Sequence, residues 1–269
     1  MKIYSRRYPV KSSQLSQSIR KQFTMNGQAR FWENDNPIDS KPKNVLKYSK
    51  AEIDKAIKMT SMFELGHYGA VDTWIYLALE RYSLKELQVG IIGSADQGFG
   101  PWYEAMVLSQ GGFPTVIEYN KCEYEYDSID CLTPTDIEKK LVNGFKFDAL
   151  LCVSSIEHDG LTRYGDPLNP NGDLVAMHKL KSYLKPRGNL FLTCPIGIDS
   201  VIWNYHRIYG RARLDLLLAG WNIIDTFGFS DSNLDRDVGS GWKQQNAEGV
   251  LQFPNYPSYE PLFVLQSNE

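Results

Sequence analysis

The chain has 269 residues, 42% of them hydrophobic, 23% charged, with a formal net charge of -3 and a mean hydropathy of -0.37. That length suits one large α/β domain with a core of its own. The small net charge excludes a broad nucleic-acid footprint, and no apolar run approaches the roughly 20 residues a membrane helix needs.

Residues 1–48 are polar and carry Arg6, Arg7, Arg20, Lys21 and Arg30. They read as a polar N-terminal extension, a solvated arm ahead of a single domain at 49–269. Within that domain, 49–84 hold N-terminal helices and 85–269 the sheet core. The first residues carry no signal-peptide core; an anchor upstream in a longer natural chain stays open. Cys122, Cys131, Cys152 and Cys194 show no C-x-x-C spacing, so buried free thiols in a reducing, cytoplasmic compartment are expected.

Ser49 with Glu52 three residues on spells a capping box and predicts a helix start. A second helix is predicted over Val71–Tyr82. Strands and helices then alternate. Val89–Ile92 is strand one, Pro101 to about Ser109 a helix, and Thr115–Tyr119 strand two. A short strand near Ser128–Leu132 and a helix opening at Thr133 follow. Ala149–Val153 is apolar throughout, as a central parallel strand should be. Asp173–Leu184 reads as a helix with Asp173 as its N-cap. Asn189–Cys194 is a strand, Ile208–Ala219 a helix, and Trp221–Phe229 and Leu262–Gln266 the last strands. Strands spaced by helices imply parallel pairing through right-handed crossovers. The closing strand follows Ser230–Pro261, a loop with no convincing helix, and is free to run antiparallel.

Two segments carry chemistry. After strand one come Gly93, Gly98 and Gly100 and then a helix start, where bare backbone and free N–H groups admit a ligand. Phe99-Gly100 stands where a phosphate loop needs Lys and Ser/Thr, and G-x-G-x-x-G is absent. Glu118 ends strand two, where a carboxylate accepts hydrogen bonds from ribose hydroxyls and repels a 2′-phosphate. The alternative is a structural turn and a solvated Glu.

Past the central strand lie Glu157, His158 and Asp159. A transfer to oxygen needs a base, and an imidazole with its ordinary pKa near ~6.5 suits that task. Capping of the following turn is the bland alternative. Tyr164, Asp166, Asn204, His206 and Arg207 are candidates for lining an acceptor pocket, with turn chemistry as the competing explanation. Trp203, Tyr205, Tyr209, Trp221, Trp242, Phe253, Tyr256 and Tyr259 crowd the last third. They read first as packing, second as a platform for a sugar ring.

With these residues in place the chain resembles the class I S-adenosylmethionine-dependent methyltransferases. More narrowly, it is similar to an uncharacterised methyltransferase-like domain family first catalogued from nematodes. The segments are Ile92-Gly-Ser with Pro101-Trp-Tyr-Glu-Ala, Ile117-Glu-Tyr-Asn120, Ser154 through Asp173, Leu184-Lys-Pro-Arg-Gly and Tyr205-His-Arg-Ile-Tyr-Gly210. They span roughly residues 85 to 230.

The resemblance implies a three-layer Rossmann-like sandwich with a mostly parallel seven-strand sheet and an antiparallel last strand. It implies S-adenosylmethionine as cofactor. Gly93, Ser94, Ala95 and Gly98 would border its methionine part, Glu118 its ribose and Tyr119 its adenine, with Ser154 and Ser155 on the other side. The usual acidic G-x-G-x-G loop is replaced here by Ile91-Ile-Gly-Ser-Ala-Asp. Glu157-His158 also resembles a metal-linked Glu-His pair of some O-methyltransferases, but Ser154 replaces a further carboxylate of that pattern, so no metal is expected.

The expected function is methylation of a small-molecule or glycan-type hydroxyl with His158 as base. A non-catalytic binding or scaffold protein on the same fold is the alternative, and a Rossmann oxidoreductase is disfavoured by the absent fingerprint. Oligomeric state is not legible.

Overall fold

The computed structural model describes residues 10–33, 45–93, 100–119, 121–164, 166–238 and 260–268. In chain order the elements are α1 (Gln17–Phe23), β1 (Arg30–Trp32), β2 (Lys47–Tyr48), α2 (Lys50–Ser61), α3 (Ala70–Arg81), β3 (Gln88–Ile92), α4 (Trp102–Ser109), β4 (Phe113–Ile117), β5 (Glu123–Tyr124) and β6 (Asp130–Leu132). They continue with α5 (Pro134–Val142), β7 (Phe147–Val153), α6 (Gly172–Tyr183), β8 (Leu184–Thr193), β9 (Ser200–Ile202), β10 (His206–Ile208), α7 (Arg211–Leu217), β11 (Trp221–Phe227) and β12 (Leu262–Ser267).

The main sheet has the order β11-β12-β8-β7-β3-β4-β6. Parallel pairing joins β6 to β4, β4 to β3, β3 to β7 and β7 to β8. Only β12 runs against its neighbours, β8 and β11. This is the Rossmann-like sandwich that the resemblance implied.

Alternation along the strands explains the three layers. Val89, Ile91, Leu151, Val153, Phe191 and Val264 point to one face, against Ile53 of α2, Ile75 and Leu79 of α3 and Met106 of α4. Leu150, Cys152, Leu190, Leu192, Phe263 and Leu265 point to the other, against Ile137 of α5, Met177 and Leu180 of α6 and Leu214 of α7. Each enclosed Leu, Ile or Phe contributes about 1.5–3 kcal/mol.

Local chemistry sets the helix starts. Ser49 and Glu52 close the expected capping box of α2, and Thr133 with Asp136 does the same for α5, with Pro134 in its first turn. Asp199 caps α7 from a distance: its carboxylate accepts from the N–H groups of Gly210, Ala212 and Arg213 at 2.8, 2.9 and 3.1 Å.

Three expectations from sequence need correction. Between 10 and 33 the chain is no solvated arm. β1 adds in parallel to β9, which forms a hairpin with β10, and Phe23 is buried edge-on against Trp203 at 5.1 Å. Trp203 Nε1 and Asn204 Nδ2 both donate to the Val10 carbonyl, at 2.8 and 2.9 Å. Ile208 ends a strand rather than opening a helix, because the hairpin claims it before Gly210. Asp173 lies inside the first turn of α6 and does not cap it; its carboxylate is taken by Arg213, with Nη2 at 2.5 Å and Nε at 2.9 Å.

Trp203, Tyr209 and Trp221 are core residues. Trp242, Phe253, Tyr256 and Tyr259 lie outside the described residues. The four cysteines are buried thiols outside any disulfide. Among the described residues no helix is long and apolar enough to cross a membrane.

Candidate functional site

In the sheet, β4 and β7 flank β3: the crossover through α4 runs from β3 to β4 on one face, and the crossover through α5 runs from β6 back past β3 to β7 on the other. The carboxyl ends of β3 and β7 therefore face a crevice uncovered by either crossover, where open α/β sheets bind ligands. Gly93 follows β3 with φ +72°, and a Cβ there would stand 2.2 Å from Ser155 Oγ. Only glycine lets β3 turn away at this point while β7's successor packs against it. Gly93 N donates to the Ile117 carbonyl, tying the turn to the end of β4. Glu118 follows there, half-buried, with Tyr119 exposed beside it. The structure thus brings Gly93, Glu118, Tyr119, Ser154 and Ser155 to one edge. Ser94, Ala95 and Gly98 lie outside the described residues.

Past β7 the chain turns through Ser154 at φ +46°, a conformation rare for a residue with a Cβ. Ser154 N donates to Thr193 Oγ1 at the end of β8 (3.1 Å). Its hydroxyl meets two carboxylates, Glu157 Oε1 at 2.9 Å and Glu260 Oε1 at 3.2 Å. All three groups are buried. Burial is the main reason that Glu157 is pushed up to about 7. Burial, then the charge of Glu157, raises Glu260 well above the usual carboxylate range. Tyr68, from the segment between α2 and α3, adjoins this group; burial foremost and Glu260 next hold its proton on.

His158 sits in a short 3-10 turn at Ile156–His158 and is buried. Its Nδ1 lies 2.5 Å from the Tyr205 carbonyl. A carbonyl only accepts, so the hydrogen is assigned to Nδ1 and the lone pair of the neutral ring to Nε2. Nε2 is 3.6 Å from Glu157 Oε1. Burial first, then the Arg163 and His206 charges, hold His158 well below the usual imidazole range. The ordinary basicity expected from sequence is therefore corrected: the ring is neutral at pH 7 and a weak base. Asp159, pushed up to about 8 chiefly by burial and then by Asp166, stands beside it in sequence.

The acceptor-pocket candidates divide. Tyr164 is half-buried with its ring edge-on to His158 at 5.6 Å, so it borders the cluster. His206 is buried at 6.3 Å from His158, held well below its usual range by burial and Arg163. Asp166 is instead a loop clamp, accepting from the N–H groups of Gly160 (2.7 Å), Thr162 (3.0 Å) and Tyr164 (3.1 Å). Asn204 joins Val10 to Thr162. Arg207 is fully buried and donates to the carbonyls of Glu157, Asp159, Asn169 and Pro170. Bonded in this way, Asp166, Asn204 and Arg207 position loops and are withdrawn from the acceptor-lining role.

Sequence reasoning missed Glu260. The signal was the direction of β12. Leu262 pairs with Thr193, the carboxyl end of β8, so the antiparallel strand enters the sheet at the edge where the parallel ones leave. A carboxylate two residues before it lands beside Ser154. Tyr68 gave no sequence signal.

The family described as Caenorhabditis protein of unknown function, DUF268, matches residues 88–251, more than half of the chain. The chain belongs to this family. The matched stretch of this DUF268 protein includes Gly93, Glu118 and the Ser154–His158 turn but not Glu260. No curated protein matches it. Among solved structures it is similar to the N-methyltransferase NodS from Bradyrhizobium japonicum WM9 in complex with S-adenosyl-l-homocysteine, at 14% identity over 74% of this chain and 88% of that one, with a TM-score of 0.42. It is similar to MtNAS in complex with MTA and tNA, at 10% identity, 81% and 69% coverage and a TM-score of 0.40. The Methanococcus jannaschii fibrillarin pre-rRNA processing protein matches at 13% identity, 69% and 68% coverage and 0.38. None of these likenesses bears on which residues of this chain act.

Proposed function

We propose that this DUF268 protein is an S-adenosylmethionine-dependent methyltransferase, with the cofactor across the carboxyl ends of β3, β4 and β7. The observation that carries this reading is the bare turn at Gly93 in the crevice between β3 and β7, with Glu118 one strand over. The residues present fit the group. Side-chain-free backbone at Gly93 admits an amino-acid moiety. Glu118 suits ribose hydroxyls, Tyr119 an adenine face, and Ser154 and Ser155 close the far side.

When bound, the cofactor supplies an electrophilic methyl on a sulfonium. What the chain contributes is position and proton handling. Arg207 and Asp166 fix the turn that presents Glu157 and His158. Burial leaves His158 neutral. The hydroxyl or glycan-type acceptor expected from sequence demands more of a base than this imidazole offers.

Calorimetric titration with S-adenosylmethionine and S-adenosylhomocysteine tests the reading. Saturable binding is expected, weakened about tenfold by Glu118→Ala through loss of charge-assisted hydrogen bonds. No heat from either at high protein concentration sinks it and leaves the scaffold alternative.

A further inference from the structure

Glu157 and Glu260 share one serine hydroxyl, and among the described residues neither is otherwise neutralised by a hydrogen-bonded cation. Their second oxygens, Oε2 of each, are buried and meet no hydrogen-bond donor among the described residues. A serine has one proton to give. With both carboxylates on Ser154 Oγ, one of them must itself be protonated and donate to that oxygen. The couple then holds a single negative charge and idle buried oxygens. Such groups are costly to bury unless something partners them.

The nearby cations do not fill this need. Arg163 Nη1 donates to the Tyr205 carbonyl, and its guanidinium lies over the Tyr205 ring at 4.4 Å. Arg207 is committed to backbone carbonyls. His158 is neutral, and Tyr68 keeps its proton. Among the described residues no three His, Cys, Asp or Glu side chains converge as metal ligands. The missing partner is a donor of several N–H bonds with positive charge.

We propose that Glu157 and Glu260 receive an ammonium group, so that the acceptor of the methyl transfer is an amine. The transfer step rests on the cofactor reading above; the ammonium site does not. An aliphatic ammonium releases its proton near pH ~10, as lysine does, whereas a water-like hydroxyl holds its proton to far higher pH. A weakly basic edge suits the first. The ionised member of the couple takes one proton from the ammonium and frees the nitrogen lone pair. That pair forms the N–C bond as the C–S bond breaks and its electrons return to sulfur, giving the thioether. The product leaves as the protonated methylamine and regains no electrons from any other source.

The test uses n-butylammonium and 1-butanol as probes on the full chain, read by saturation-transfer NMR and calorimetry, with S-adenosylhomocysteine titrated separately. n-Butylammonium is expected to bind and 1-butanol not to. Glu260→Gln, which keeps shape and removes one of the two carboxyl groups that share the charge, is expected to weaken the ammonium by about tenfold or more. If that variant loses its thermal transition, Glu157→Gln takes its place in the same comparison. Equal binding of alcohol and ammonium, no ammonium binding, or no effect of the Gln variant that folds overturns the proposal. Ammonium binding that the variant weakens, with no heat from S-adenosylhomocysteine, leaves the cation site standing and removes the methyltransferase reading. S-adenosylhomocysteine heat without ammonium binding does the reverse.

Discussion

Two buried charged clusters lie on either side of the turn after β7, and they differ in sign balance. In the first, Asp173 sits between two guanidinium groups. Arg213 binds both its oxygens, Arg207 Nε stands 3.6 Å away, and the Tyr209 hydroxyl donates at 3.1 Å. In the second, Glu157 and Glu260 face each other across Ser154, two carboxyl groups that share one negative charge and have idle oxygens. Burial is nearly complete in both. The first is a closed strut that ties α6 to α7 and to the loop before it. The second is a site held open. Buried charge with its partners present holds a fold together, and buried charge without them points to a partner from outside.

That contrast is broken most sharply by removing one member of each. Asp173→Ala leaves two buried guanidinium groups uncompensated and is expected to cost about 3–5 kcal/mol of unfolding free energy. Denaturant titration reads it, and a cost below that of a surface substitution would erase the distinction. Gly93→Ala forces a Cβ onto Ser155 Oγ at positive φ and is expected to cost about 1–3 kcal/mol, with S-adenosylhomocysteine affinity lowered as the cradle shifts.

The open cluster predicts a pH signature. Glu157 rises from 4.5 to about 7 on folding, so the native state binds more protons than the unfolded chain across that window. Stability should therefore fall as pH rises from about 4.5 to about 7. Glu157→Gln should flatten that slope in unfolding curves taken at several pH values; an unchanged slope would place the titration elsewhere. The smallest effect is expected at Arg211, whose contacts with Asp231 and Asp235 are exposed. Arg211→Ala should leave the denaturation midpoint and S-adenosylhomocysteine binding unchanged.

How much of this was legible in the sequence follows from how local each cause is. Ser49 with Glu52, the apolar run ending at Val153 and Gly93 after a strand are short-range signals, and the structure places an element or a turn at each. The reversed last strand is legible only through the family resemblance, since nothing within Leu262–Gln266 distinguishes the two directions. The packing of residues 10–33 depends on Trp203 and Val10, far apart in sequence, and polar composition hid it. Asp166 and Arg207 have residue types that suit a substrate, and only their backbone partners reveal that they hold loops. His158 was found by position, but its basicity was misjudged because burial is a tertiary property. Glu260 needed the direction of β12 before it had any meaning.

Hydrogen exchange with and without S-adenosylhomocysteine tests the location of the site most directly. Added protection is expected at 88–93, 113–119 and 153–160, the carboxyl ends of β3, β4 and β7. Protection confined to α5, α6 and α7, or none at saturating ligand, would contradict a cofactor cleft at that edge.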